Sequence, residues 1–285
     1  MTTATGTWAE PLLAGFEERF ADVRGVRMRY YVAGEGPPLV LVHGTAADHT
    51  RWAPVLPALS ERFTVLALDR RGRGASGDSR DYALAREAED VAAVAAAAGP
   101  GVCILGHSYG GVCALEAALL TDAIERLVLF EAPVGFLQTP ADVVAGLNAL
   151  DAAGLHDELL ALFFAEVAGL PPEQIELLRG LAAWPNPVAA AHTIPREERA
   201  SREYAFAPER FASLDVPTLL RAGGDSPAPF AAATAALEAA LPDCRTAVMP
   251  RQRHAAMDTG TKLFLAEVLR FLAYPAEPAR RRRAP

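Results

Sequence analysis

Val102-Cys103-Ile104-Leu105-Gly106-His107-Ser108-Tyr109-Gly110-Gly111 runs from a short apolar segment into a serine framed by glycines. A helical pattern, Gly111 to Leu120, follows it. This is G-x-S-x-G at a strand-to-helix junction, the context in which that spacing carries chemistry. The turn is sharp and crowded, so a Cβ at the flanking positions would strike neighbouring backbone. It lifts the Ser108 hydroxyl off the strand and aims the Tyr109 N–H, at a helix N-terminus, where negative charge would develop on a bound carbonyl.

Outward from this turn the chain alternates between two periodicities. Pro38 to Val42, Phe63 to Leu68, Leu127 to Phe130 and Thr218 to Arg221 are further short apolar runs bounded by turn residues. Such runs suit strands buried on both faces of a parallel sheet. Val26 to Val32 alternates like a half-exposed strand, and Cys244 to Met249 reads as the last one. Helical patterns lie between them at Trp52 to Glu61, Ala83 to Ala98, Phe230 to Leu241 and Thr261 to Leu272. The alternation predicts an α/β fold with a mostly parallel, doubly wound sheet and helices on both faces.

The rhythm breaks once. From Gly135 to about Ala207 no strand pattern occurs, while prolines and bulky groups (Phe136, Phe163, Phe164, Trp184, Tyr204, Phe206) accumulate. The expected organisation is a core over 1–134, a helical cap over 135–207 and the rest of the core over 208–285. No internal repeat is visible.

With 285 residues and 51% apolar composition the chain can bury a large core. A net charge of −8 argues against nucleic acid as a partner. Met1 to Thr7 lacks the charged and apolar regions of a signal peptide, and no apolar run approaches a membrane span, so no membrane partner is expected. Cys103, Cys113 and Cys244 are odd in number and read as small core hydrophobes in a reducing, cytoplasmic setting. The Arg280 to Arg283 run reads as a solvated end. Gly72 to Gly77 literally fits G-x-G-x-x-G, but loop residues follow it where a dinucleotide site needs a helix. His43, Asp48 and His49 lack a completing metal-ligand cluster. No cofactor and no metal are expected.

The motifs together resemble the α/β-hydrolase superfamily over nearly the whole chain. His43-Gly44 closes the run Pro38 to Val42, where the family carries its oxyanion loop. Asp69-Arg70-Arg71-Gly72-Arg73-Gly74-Ala75-Ser76 resembles the family's D-x-R-G-x-G-x-S turn. Asp225 and then His254 follow Ser108 in the order this fold uses. The resemblance implies Ser108 as nucleophile, His254 as general base and Asp225, in Gly223-Gly224-Asp225, as the acid that orients the imidazole. Glu131, directly after Leu127 to Phe130, is the rival acid, since some members of the fold carry it there. The backbone amides of Thr45 and Tyr109 would form the oxyanion hole.

Absences narrow the activity. The elbow holds serine, not the aspartate of the superfamily's epoxide hydrolases and haloalkane dehalogenases, and no lysine flanks His254 as in its hydroxynitrile lyases. The expectation is a serine esterase, similar to bacterial esterases and cofactor-free perhydrolases. It would act through an acyl-enzyme on small to medium, largely apolar esters or lactones, in a pocket lined by the cap's aromatics. Thioester or carbon–carbon bond hydrolysis, or a non-hydrolytic lyase or binder, are the alternatives.

Overall fold

The computed structural model describes residues 16–135 and 139–273; Phe136, Met1 to Thr7 and the Arg280 to Arg283 run lie outside them. Eight strands form one sheet: β1 (Glu17–Val23), β2 (Val26–Ala33), β3 (Pro38–Val42), β4 (Thr64–Leu68), β5 (Val102–His107), β6 (Ile124–Phe130), β7 (Thr218–Gly223) and β8 (Cys244–Met249). Their spatial order is β1-β2-β4-β3-β5-β6-β7-β8. The pairs β1–β2 and β2–β4 are antiparallel, and the pairs from β4 to β8 are parallel.

The central strands are mostly apolar because both faces are covered. On one face Val40, Val42, Leu66, Ile104 and Leu129 pack under α2 (Leu84–Ala98), α3 (Tyr109–Ala117) and α9 (Ala228–Ala240). On the other, their alternate neighbours Leu39, Leu41, Val65, Leu105 and Phe130 pack under α1 (Leu56–Ser60), the short α10 (Ala256–Thr259) and α11 (Thr261–Leu272). The two-residue alternation of a strand divides one apolar run between two cores. The fold class expected from the sequence is the one observed.

Two local expectations change. The helix expected from Trp52 to Glu61 is a 3₁₀ turn, His49–Trp52, followed by the short α1; Pro54 and Pro57 interrupt the hydrogen-bond ladder there. Strand β1 was not anticipated. Its sequence, Glu-Glu-Arg-Phe-Ala-Asp-Val, is largely polar because it is an edge strand, and a two-residue turn with positive φ at Arg24 (50°) and Gly25 (81°) folds it onto β2.

Between β6 and β7 the chain forms α4 (Ala141–Ala152), α5 (His156–Glu166), α6 (Pro172–Arg179), α7 (Pro185–Ala190) and α8 (Ile194–Glu203), with no strand among the described residues. Leu147, Leu159, Leu160, Phe163, Trp184 and Ile194 give these helices a core of their own, which also takes in Ala46. No helix among the described residues is long and apolar enough to cross a membrane.

Candidate active site

Five non-glycine residues have positive φ among those described: Arg24, Ala46, Ser108, Glu131 and Arg251. Apart from hairpin residue Arg24, they follow the carboxyl ends of β3, β5, β6 and β8. Each such conformation costs on the order of 1–3 kcal/mol and persists where its surroundings over-determine it. The strain marks the carboxyl edge of the sheet, where open α/β sheets gather their ligands.

Ser108 caps α3 with φ 54° and ψ −129°. Two close approaches hold the elbow. A Cβ on Gly106 would lie 2.6 Å from Gly111 Cα, and one on Gly110 would lie 2.2 Å from the His43 carbonyl oxygen. Helix α3 therefore abuts the end of β3. Its first residue is Tyr109, whose amide is one of the donors a helix start leaves without an intrahelical partner. Gly44 faces the elbow from β3: a Cβ there would meet Ser108 Cβ at 3.0 Å.

His254 follows β8 and lies against the elbow. Its ring is 4.6 Å from that of His107 and 4.4 Å from that of Phe230, and its carbonyl accepts a hydrogen bond from His107 Nε2 at 3.3 Å. Its Nδ1 is 2.6 Å from Glu131 Oε2. The other Glu131 oxygen accepts the Gly223 N–H at 2.8 Å, and the Glu131 carboxylate is wholly buried. A carboxylate facing Nδ1 fixes the Nδ1–H tautomer and leaves the Nε2 lone pair free to take a proton.

The structure thus brings Glu131 to His254, and the expected contact from Asp225 is not the one made. Asp225 is exposed, and its backbone N–H donates to the Gln252 carbonyl at 2.9 Å. The reason is local. Glu131 stands one residue past β6, where φ 49° swings its side chain inward. Asp225 stands two residues past β7, after the turn has left the sheet, and Gly223 at that strand's end serves Glu131 instead.

The ends of β3 and β5 hold neutral imidazoles. Burial, reinforced by the charges of Arg70 and Arg73, pushes His43 down to about 3. Its Nε2 accepts the Arg70 N–H at 3.1 Å, so Nδ1 carries the hydrogen and donates to the Gly44 carbonyl at 2.8 Å. Burial, then the neighbouring His254, holds His107 well below its ordinary range. His49 is drawn into the Asp69 carboxylate at 2.7 Å, and Asp48 caps its own turn through Thr50 N–H.

Sequence reasoning passed over the arginines of Asp69-Arg70-Arg71-Gly72-Arg73. All three are buried. Arg71 pairs with Asp90 at 2.7 Å; Arg70 and Arg73 share Glu87 and, from α8, Glu197. Burial alone would raise the Glu87 carboxyl, but Arg70 and Arg73 outweigh it and hold it at about 2. Tyr82 donates to Glu87 at 3.1 Å, and its hydroxyl lies 3.1 Å from that of Tyr109. The available signal was a charged cluster at the end of a largely apolar strand.

The aromatics expected to line a pocket are spent largely on packing. Phe164 meets Phe163 and Trp184 at 5.9 Å each, Tyr204 donates to Glu116 at 2.7 Å, and Phe206 stacks on Phe211 at 5.5 Å.

Comparison with known proteins bears on this arrangement. The model of the alpha/beta hydrolase family matches residues 39–267. An alpha/beta hydrolase from Sphaerobacter thermophilus superposes with a TM-score of 0.75 at 33% identity, over 86% of this chain and 100% of that one. The esterase RhEst1 from a Rhodococcus species superposes with a TM-score of 0.67 at 25% identity, over 91% and 98%. A soluble epoxide hydrolase from a Corynebacterium species is 37% identical over 121 residues, 41% of this chain and 42% of that protein. The chain spans about a third to two fifths of the length of the first curated relatives it matches. With the strand order, the elbow and a family match over most of its length, the chain belongs to the alpha/beta hydrolase family.

Proposed function

We propose that the chain is a serine hydrolase that cleaves small to medium, largely apolar carboxylic esters or lactones through an acyl-enzyme. The observation that carries this reading is a buried carboxylate 2.6 Å from His254 Nδ1, in a loop that lies against a strained serine elbow. His254 Nε2 takes the Ser108 proton as Oγ attacks the carbonyl carbon. Glu131 stabilises the imidazolium without itself taking the proton. The oxyanion lies between the amides of Thr45 and Tyr109, each such donor being worth about 3 kcal/mol in the transition state. His254 then protonates the leaving alcohol, and water activated by the same imidazole releases the acid.

Residues 135–207 act in this reading as a cap over the carboxyl edge of the sheet. Its apolar character favours uncharged acyl groups. The relatives include an esterase and an epoxide hydrolase. Serine at the elbow favours the first chemistry, since an alkyl-enzyme ester that water can hydrolyse calls for a carboxylate nucleophile.

The test is pre-steady-state hydrolysis of a 4-nitrophenyl ester series, beside lactones and an aryl epoxide. A nitrophenolate burst equal to the enzyme concentration, a trapped acyl-enzyme mass on Ser108 and no epoxide opening are expected. Epoxide opening without ester turnover would overturn the reading.

A further inference from the structure

Arg70 has five side-chain N–H donors, and each has a partner. Nε and Nη2 donate to Glu87 at 3.0 and 2.8 Å, and Nη2 also donates to Glu197. Nη1 donates to the carbonyls of His43 at 3.2 Å and Gly44 at 3.1 Å. The Gly44 carbonyl is thus held inward by two donors, Arg70 Nη1 and His43 Nδ1. No described peptide bond is cis. In a planar trans peptide the N–H points opposite to its carbonyl. Pinning Gly44 C=O toward the buried guanidinium therefore turns the Thr45 N–H away from it, at a chain position whose Gly44 neighbour sits against Ser108. The same guanidinium lies 4.8 Å from the ring of Tyr109, the residue that carries the second oxyanion amide.

One of these five bonds goes to the helices between β6 and β7. Glu197 belongs to α8, is fully buried, and binds both Arg70 and Arg73. Removing α8 from its seat would leave the two guanidinium groups with Glu87 as their one shared carboxylate, and the fork would be free to reorient.

We propose that Arg70 is a positioning residue for the oxyanion hole, and that Glu197 sets it in place, so that seating the cap helix and aligning the Thr45 amide are one event. The inference rests on the serine-hydrolase reading above for its catalytic consequence, though not for its geometry. It makes the cap part of the catalytic apparatus without its touching substrate: an enzyme with α8 unseated binds its ester and turns it over poorly.

The experiment compares wild type, Arg70→Lys and Glu197→Gln on a 4-nitrophenyl ester and on its thiono analogue, in which sulfur replaces the carbonyl oxygen. Lysine keeps the charge and loses the fork. An aligned oxyanion hole favours oxygen over sulfur, because amides bond sulfur weakly. Expected for Arg70→Lys is a kcat on the oxygen ester about 30-fold lower, with KM within about threefold and the oxygen-to-sulfur rate ratio reduced in parallel. Glu197→Gln should move the same two quantities the same way, by about fivefold. Folded Arg70→Lys with wild-type kcat, or with a lower kcat and an unchanged ratio, would overturn the proposal. If Arg70→Lys does not fold, Glu197→Gln decides by the same criteria. The Thr45 amide cross-peak in a ¹H–¹⁵N spectrum gives a readout independent of turnover. It should shift in both variants, and an unmoved peak overturns the proposal. Wild type that neither turns over esters nor reacts with a fluorophosphonate would instead sink the serine-hydrolase reading, with the cross-peak still testing the geometry.

Discussion

The carboxyl ends of β6 and β7 lie side by side, and each is followed within two residues by a carboxylate, yet only one of these reaches the imidazole. Glu131 is buried, sits in a left-handed conformation immediately past its strand, and bonds both His254 and Gly223. Asp225, in Gly223-Gly224-Asp225, is the acid that the family resemblance favours, and it is exposed. A motif fixes residue types and spacing along the chain. The reach of a side chain depends on where the backbone leaves the sheet, and one residue of overshoot is enough to turn a carboxylate out to solvent.

The largest effect that would sharpen this contrast is at Glu131. Glu131→Gln should lower kcat by about 10³ to 10⁴, because an amide at that position no longer favours the tautomer and charge the base needs. Steady-state rates on an activated ester, with circular dichroism to confirm folding, measure it. Next comes Gly223, through which the end of β7 serves its neighbour. A Cβ there would lie 2.6 Å from the Gln252 carbonyl oxygen and 2.9 Å from Arg253 Cα. Gly223→Ala should displace the loop that carries His254, lower kcat by about 10- to 100-fold and cost about 1–3 kcal/mol of stability.

A smaller effect separates these strand ends from those of β3 and β5, where His43 and His107 are buried and neutral. Their folded-state values lie below the unfolded 6.5. Stability from each is thus full above pH 6.5 and falls as pH drops, by about 1.4 kcal/mol per pH unit per histidine, toward about 3 for His43. Glu87, held at about 2, adds to the loss below its unfolded 4.5. Urea unfolding between pH 7 and 4 checks the slope; a flat profile would mean these groups are already charged in the fold. Smallest of all, Asp225→Asn should leave kcat within about threefold of wild type.

Much of the fold was legible because the parallel strands announce themselves. β3 falls where its apolar run places it, since a strand buried on both faces leaves no room for polar residues, and β8 and α11 have the bounds expected although β8 is a partly exposed edge strand. Edge strand β1, with one neighbour and a mostly exposed face, carries no such pattern. Helix α3 begins at Tyr109 and not at Gly111, because packing against the end of β3 overrides the low helix propensity of two glycines. Within the proposed site, Ser108 and His254 are suggested by local sequence, as each follows a recognisable strand. The acid could not be settled that way, since its choice depends on three-dimensional reach. Nor could the bond from Arg70 to Glu197, which joins residues 127 apart in the chain.

The most direct test of the account is covalent labelling by a fluorophosphonate, followed by intact mass, on wild type, Ser108→Ala, Glu131→Gln and Asp225→Asn. One adduct on wild type, none on Ser108→Ala, labelling slowed by about 10³ in Glu131→Gln and unchanged in Asp225→Asn is the predicted pattern. An adduct persisting on Ser108→Ala, or slow labelling of Asp225→Asn beside fast labelling of Glu131→Gln, would contradict it.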